Sequence, residues 1–216
     1  MKPLIILILL SSFVFANLKT GIILSDGVRL RANPQLSSDN VIGVVNASEE
    51  VIILNSESVN GDNWINIETA VKQRGWISKR FVSAPGEDGI KQFCLNNLNN
   101  VIRKRNLPVT EKEFNKILAL QGRGNELVKA ILTENIPLDI AAYILLLQRD
   151  GRGVEVLVES LKKTKKEEIF FALQVVANKE IVDNTYEAFK TWVSSKNTNE
   201  IKIDDFSLVR IFNHIR

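Results

Sequence analysis

The chain of 216 residues contains a single cysteine, Cys94, and a single histidine, His214. A cysteine peptidase needs a thiolate beside a histidine base, so no other pair in the chain could supply that chemistry. Cys94 lies on the apolar stripe of a predicted helix, where a cysteine behaves as a small buried hydrophobic residue. One histidine also falls short of the ligand sets of zinc enzymes. We therefore predict no catalytic residue, no metal site and no cofactor.

Acidic side chains leave one enzymatic alternative open. The chain has 25 Asp and Glu against 28 Lys and Arg, a net charge of +3. A pair of carboxylates can hydrolyse a glycosidic bond. Because 25 acidic residues allow many such pairs, the possibility of an unrecognised glycosidase stays open. No pair lies in a recognisable catalytic motif, and we predict a non-enzymatic protein. Because charge is nearly balanced in both halves of the chain, we expect no nucleic-acid partner.

The first sixteen residues are typical of an export signal. Met1-Lys2 is a short basic start, the residues from Leu4 to Leu10 are apolar, and Val14 and Ala16 precede the expected cut. The alternative is a membrane anchor that is retained, but the apolar run is shorter than the roughly 20 residues that span a bilayer. We predict cleavage after Ala16, no membrane span in the cleaved chain, and a periplasmic or secreted location.

Between residues 21 and 83 the apolar residues alternate, as in short β-strands. This pattern predicts strands at 28–31, 41–45, 50–54, 64–67 and 74–77. Asn60-Gly61 is the strongest turn signal, because Asn-Gly suits the positive φ angles of a hairpin. Five short strands in so few residues predict a small barrel rather than a sandwich.

This segment resembles a bacterial SH3-like (SH3b) domain in five landmarks that occur in the expected order. They are the opening stretch Val28-Arg29-Leu30-Arg31-Ala32-Asn33-Pro34, then Val41-Ile42-Gly43, then Val51-Ile52-Ile53-Leu54, then Gly61-Asp62-Asn63-Trp64-Ile65-Asn66-Ile67, and the closing Gly75-Trp76-Ile77. The connection Glu68–Arg74 departs from the family, since it is longer and more polar than the usual turn. We expect it to alter the loop beside any groove.

From Pro85 onward the apolar spacing changes to that of helices. We predict eight of them: one with a stripe from Ile90 to Ile102, one opening at Thr110, and others at about 124–134, 137–148, 152–163, 166–178, 182–195 and 203–215. The Pro/Gly cluster at 83–89 marks the boundary between the two periodicities. The predicted domains are therefore a signal peptide at 1–16, a barrel at 17–84 and a helical domain at 85–216.

The helical half contains a short internal repeat. Gly122-Arg123-Gly124-Asn125-Glu126 recurs 29 residues later as Gly151-Arg152-Gly153-Val154-Glu155. A period near 30 is typical of solenoids, and the stretch resembles HEAT-type repeats, with a compact bundle as the alternative. We expect each Gly-Arg-Gly to lie in a left-handed turn at a helix end rather than to bind phosphate. The predicted fold is α+β and multidomain: an SH3-like barrel followed by an all-α, solenoid-like domain.

The resemblance implies that the barrel binds a cell-wall peptide, as peptidoglycan-binding modules do, or a segment of an envelope protein. Aromatic faces anchor peptides and glycans, so Trp64 and Trp76 are candidate ligand-binding residues, with packing in the barrel core as their alternative role. Arg29, Arg31 and Asn33 are the candidate polar contacts. In this strand and loop Val28 and Leu30 alternate inward, which leaves these three side chains to face outward.

Two other functions stay open. In the first, the protein is a structural or assembly protein whose barrel only packs on the helical domain, and partners bind the helices. In the second, it is an accessory of a peptidoglycan hydrolase, because SH3b domains often accompany such enzymes.

The last helix, at 203–215, carries too many apolar residues to serve as the end repeat of a solenoid, which needs a polar outer face. We predict that it folds back on the core or contacts a second molecule in an oligomer.

Overall fold

The computed structural model describes residues 19–105, 136–178, 180–181 and 183–215. Its N-terminal part is an antiparallel sheet of seven strands: β1 (Lys19–Ile23), β2 (Val28–Arg31), β3 (Val41–Val45), β4 (Glu50–Val59), β5 (Asp62–Glu68), β6 (Arg74–Ser78) and β7 (Val82–Ser83). Their order in the sheet is β3-β2-β6-β5-β4-β1-β7. The five predicted strands are all present. The alternation did not predict β1, or β7, which has only two residues.

Strand alternation builds the core of the barrel. The buried apolar side chains on the inner face are Ile23, Val28, Leu30, Val45, Val51, Ile65, Ile67, Ile77 and Val82. Asn60 and Gly61 join β4 to β5 with φ angles of 52° and 85°, as the hairpin prediction required. β4 continues to Val59, past the predicted end at residue 54, because its polar second half pairs with β5.

Six helices follow the barrel in the described part of the chain: α1 (Asp88–Lys104), α2 (Leu138–Leu147), α3 (Arg152–Thr164), α4 (Glu167–Ala177), α5 (Tyr186–Ser194) and α6 (Asp205–His214). The α+β fold class is confirmed. None of these helices is long and apolar enough to cross a membrane. The predicted signal, the helices expected between 106 and 135, and the first Gly-Arg-Gly copy lie outside the described residues.

The described helices enclose α2. Every residue of α2 from Asp139 to Leu147 is buried, as expected of a helix that is apolar on all sides. α2 packs against α3 and α1, and α1 also packs against the last helix, α6. In a solenoid each repeat touches only its neighbours. The HEAT-type arrangement is therefore not confirmed, and contact between the first and last described helices is a feature of a compact bundle.

The C-terminal helix folds back on the core. Leu208, Val209, Ile211 and Phe212 are buried, and α6 packs against α1 and α4. Of the two alternatives predicted for this helix, the structure shows the first. The apolar face that we considered for an oligomer is already covered within the chain.

The second Gly-Arg-Gly starts at Gly151, just before α3, and continues into the first turn of α3, but its glycines are not left-handed. Gly151 has a φ of −60°, and the left-handed residue of this turn is Arg149, with a φ of 58°. A Cβ on Gly151 would lie 2.0 Å from the Thr198 oxygen, and a Cβ on Gly153 would lie 2.9 Å from the Ala142 oxygen. The glycines are needed because other backbone segments approach closely, which corrects the turn-based explanation.

The barrel and the helices share a core at their junction. Ile22 of β1 is fully buried in the apolar cluster of the helical half, and Leu24 packs against the same cluster. Between β7 and α1, the Glu87 carboxylate accepts hydrogen bonds from the Ser83 hydroxyl at 3.1 Å and from the Ala84 amide at 3.0 Å. The start of the connecting segment is therefore held at the end of β7.

Candidate ligand-binding groove on the barrel

A groove of about 360 Å³ opens on the barrel between a turn, a hairpin and a short helix. Residues 25–27 precede β2, the hairpin joins β4 to β5, and the 3₁₀ helix Lys79–Phe81 follows β6. The side chains around the groove are Ser25, Asp26, Gly27, Val28, Arg29, Arg31, Leu36, Asp62, Trp64, Ser78, Arg80 and Phe81. Three of the five predicted site residues are among them: Arg29, Arg31 and Trp64.

Trp64 lines the groove. Its β5 neighbour Ile65 points into the barrel core, so Trp64 lies on the opposite face of the strand. Glu57 and Ser78 are its partners on the flanking strands. Only 3% of its surface is exposed. Trp64 is thus buried outside the inner core, and it offers a ligand little exposed surface.

Trp76 lies outside the groove. Its β6 neighbours Gly75 and Ile77 are the buried residues of that strand, while Trp76 is half-buried on the other face. It sits opposite Arg31 on one side and Asn66 on the other. The structure therefore places Trp76 neither in the core nor among the groove side chains.

Arg31 holds the loop of residues 32–40 in place. Its Nη1 donates to the Ser37 carbonyl oxygen and to Asn40 Oδ1, the latter at 2.8 Å, and its side chain is buried. Asn40 Nδ2 in turn donates to the Asn33 side chain and to the Gln35 carbonyl at 3.0 Å. Arg31 and Asn33 therefore shape the loop, and Asn33 does not line the groove.

The groove carries charges of both signs. Arg29 and Arg80 are exposed cations, and Arg80 lies over the Phe81 ring, with its guanidinium carbon 4.5 Å from the ring centre. Asp26 and Asp62 supply the negative charge, and Asp26 also accepts a 3.0 Å hydrogen bond from the Ala47 amide. Such a surface favours a ligand that itself carries both charges.

The sequence reasoning missed several groove residues. Leu36, which is 74% exposed at the rim, stands in a loop without periodicity. Asp26 and Asp62 lie in or beside turns, and Arg80 belongs to the 3₁₀ helix. In such segments the alternation of apolar residues does not show which way a side chain points. The adjacent pair Arg80-Phe81, directly after the closing strand, was the one usable signal.

The polar connection between β5 and β6 lies beside β3 rather than beside the groove. Glu68 pairs with Lys72 at 2.9 Å and with Arg74 at 2.7 Å, which closes the turn on itself. These hydrogen bonds hold the pKa of the Glu68 carboxyl below its usual value, and the bond from Lys72 has the largest effect. Gln73 Nε2 donates to the Ile42 carbonyl of β3 at 2.8 Å. The expected effect of this connection on the groove is therefore wrong.

Cys94 and His214, the thiol and the imidazole that a cysteine peptidase would need, occupy different environments. Cys94 is fully buried on α1, and loss of solvent raises the pKa of its thiol to about 12, so that the thiol stays protonated at neutral pH. His214 is exposed at the end of α6, where its ring stacks on Phe171 at 4.0 Å between centres. In the described ranges, no cluster of three or more His, Cys, Asp or Glu is arranged to hold a metal ion.

Comparison with known proteins identifies one part of the chain. No curated protein and no solved structure matches the chain. The model of the bacterial SH3 domain family, however, matches residues 26–83, from the turn before β2 to the end of β7. The matched segment contains every groove residue except Ser25. Residues 26–83 of this protein are therefore assigned to the bacterial SH3 domain family.

Proposed function

We propose that this protein is an exported, non-enzymatic envelope protein whose barrel binds a peptide in the groove. The peptide is either a cell-wall peptide or a segment of an envelope protein. One observation carries the proposal: within the bacterial SH3 domain, one groove is lined by Trp64, by the exposed cations Arg29 and Arg80, and by the acids Asp26 and Asp62.

The size and chemistry of the groove support a short peptide as the ligand. Its volume of about 360 Å³ is near the lower end of small-molecule pockets, which run from about 300 to 1,000 Å³. A peptide with a free amine and free carboxylates matches the two signs of charge around it. Leu36 at the rim adds apolar surface that an aliphatic side chain can cover.

Co-sedimentation of the full chain with purified sacculi tests wall binding. Arg80→Glu and Lys79→Glu make the same charge change one residue apart in an exposed 3₁₀ helix, but only Arg80 lines the groove. We expect Arg80→Glu to lose most of the retained protein and Lys79→Glu to stay near wild type. Equal retention of the two variants would show that any binding is unrelated to the groove. Trp64 and Arg31 are unsuitable here, because both are buried.

A second function, a structural or assembly protein, is favoured by the shared core at the junction. Ile22 and Leu24 belong to the barrel segment but pack with the helices, as in a barrel that serves as a support for them. In that case the wild-type chain is not retained on sacculi, and envelope proteins bind to the helical surface instead. Retention of the wild type on sacculi would exclude this second function. Without retention, binding of an envelope protein that Arg80→Glu weakens would assign that partner to the groove, and binding that Arg80→Glu leaves unchanged would assign it to the helical surface.

The non-enzymatic part of the proposal has its own test. Incubation of the purified protein with peptidoglycan should release no muropeptides above a buffer control. Release that disappears on substitution of one Asp or Glu would replace the proposal with a glycosidase.

Export is tested at the N-terminus. The spacing of Val14 and Ala16 predicts that protein recovered from the envelope fraction begins at Asn17. An intact Met1 in that fraction would contradict the cleavage.

A further inference from the structure

A cavity of about 410 Å³ lies where the barrel meets the helices. The turn between β3 and β4 contributes Ser48, and α4 contributes Phe171. Arg210, Asn213 and His214 come from α6. The groove on the barrel shares none of these residues, so this cavity is a separate feature of the molecule.

The charge of this cavity is of one sign. Arg210 and His214 stand four positions apart on α6, which places both on one side of the helix. No carboxylate lines the cavity, whereas each of the four other cavities described for this chain includes at least one Asp or Glu. Among the described residues, Arg210 forms no salt bridge. Arg210 also borders a neighbouring cavity that Glu180, Glu200 and Asp204 line. On the side that it shares with His214, the two nitrogen-bearing side chains line a cavity without a carboxylate.

Two of the residues around the cavity, His214 and Ser48, are held in defined positions. The His214 ring stacks on Phe171 with 19° between the ring planes, which fixes the plane in which its nitrogens lie. Ser48 has a left-handed backbone, with a φ of 71°, and its amide donates to the Ile23 carbonyl at 2.8 Å. Glycine would fit that conformation with less strain but would lack the hydroxyl at the cavity.

We propose that this cavity binds a small oxyanion, a phosphate or a carboxylate group, between the two halves of the protein. Arg210 donates from its planar guanidinium, which suits both groups, while His214 and Ser48 donate from the two sides. The cavity is many times the roughly 30 Å³ of one water molecule, so the anion can be part of a larger ligand. Binding would join the β3–β4 turn to α6.

The single histidine of the chain makes a direct test available. His214 gives the only histidine Cε1–H signal in an NMR spectrum of the full chain. The chain is titrated with inorganic phosphate and, separately, with acetate, at fixed pH and ionic strength. We expect a saturable shift of the His214 signal, and the anion that saturates at the lower concentration identifies which of the two groups the cavity prefers.

Two variants decide whether the cavity is responsible. Arg210→Gln, at an exposed position, should weaken binding about tenfold or more, and Ser48→Ala should weaken it less. Lys162→Gln removes an exposed cation from α3, away from the cavity, and should bind as the wild type does. A shift that never saturates with either anion, or an affinity that Arg210→Gln leaves unchanged in a folded protein, would overturn the proposal.

Discussion

The Gly86 amide donates a 2.6 Å hydrogen bond to Asp205 Oδ2, across 119 positions of sequence. The other carboxylate oxygen of Asp205 accepts from Arg149, whose guanidinium also donates to the Ile203 carbonyl. One side chain thus joins the segment after the barrel to the α2–α3 turn and to the start of α6. The barrel and the helical half are held together by this contact as well as by their shared core.

We expect Asp205→Asn to lower the free energy of unfolding by about 1 to 3 kcal/mol, because the network loses its negative charge and one of its two acceptor oxygens. Guanidinium denaturation measures the loss, and limited proteolysis should cut faster around residues 84–88. Glu57→Gln, a matched change at an exposed position on β4, should have little effect. Identical stability and cleavage for the two variants would mean that Asp205 does not hold the junction.

The role of Arg31 in the loop can be separated from binding by a pair of variants on β2. Arg31→Met should cost about 2 kcal/mol, since it removes hydrogen bonds from a charged group to Ser37 and Asn40. Arg29→Met, an exposed cation on the same strand, should change stability little. Hydrogen exchange of the amides in 32–40 is the measurement. Unchanged protection in Arg31→Met would refute the structural role.

Asp139 should make the free energy of unfolding depend on pH in the acid range. Burial raises the pKa of its carboxyl, but hydrogen bonds from Lys166 and Arg105 outweigh burial and hold the pKa below the ordinary 3.8. A depressed folded-state pKa contributes stability that is complete above the unfolded value and is lost as pH falls through the folded value. Wild type should therefore begin to lose this contribution as the pH falls below about 5, and should go on losing it until the pH is below the folded-state pKa.

Asp139→Asn tests this dependence. The variant should be less stable by about 2 kcal/mol or more at pH 7, because Lys166 and Arg105 lose a buried counter-charge. Its stability should also fall less steeply in acid. Urea denaturation from pH 7 to 3 gives both values. Parallel pH curves for the variant and the wild type would contradict the assigned role.

Cys94 should be unreactive in the folded protein. Burial removes solvent from the thiol and raises its pKa to about 12, so almost no thiolate is present at neutral pH. A disulfide-exchange reagent such as DTNB should therefore react only after guanidinium is added. Fast reaction of the native protein would show that α1 opens readily, and the Cys94→Ala variant provides the blank.

Phe212→Asp separates folding back from oligomer formation. Phe212 is fully buried and meets Tyr143 edge to face at 6.0 Å between ring centres. A charge there should lower the melting temperature sharply, since an unpaired buried carboxylate costs several kcal/mol. Arg210→Gln, on the exposed side of the same helix, serves as the control. If the variant keeps its melting temperature but has a lower mass in solution than the wild type, the prediction that this helix forms an oligomer contact would be correct.

Local physics allowed much of this structure to be predicted from sequence. The Asn60-Gly61 turn requires positive φ angles that few other pairs adopt, so it marked the β4–β5 hairpin correctly. The uninterrupted apolar run in α2 could only be a helix covered on every side. Alternation on β2 likewise separated Arg29 and Arg31 from the core. Each of these properties depends on residues close together in the chain.

The tertiary structure decided what depends on segments far apart in sequence. Alternation placed Arg31 outward, but only the path of the 32–40 loop turned it into a buried anchor. The 3₁₀ helix after β6 brought Arg80 to Trp64 and left Trp76 away from the groove. Gly153 was needed for the close approach of α2, not for its own φ angle. Periodicity specifies which face of an element is buried, whereas packing specifies which element covers it.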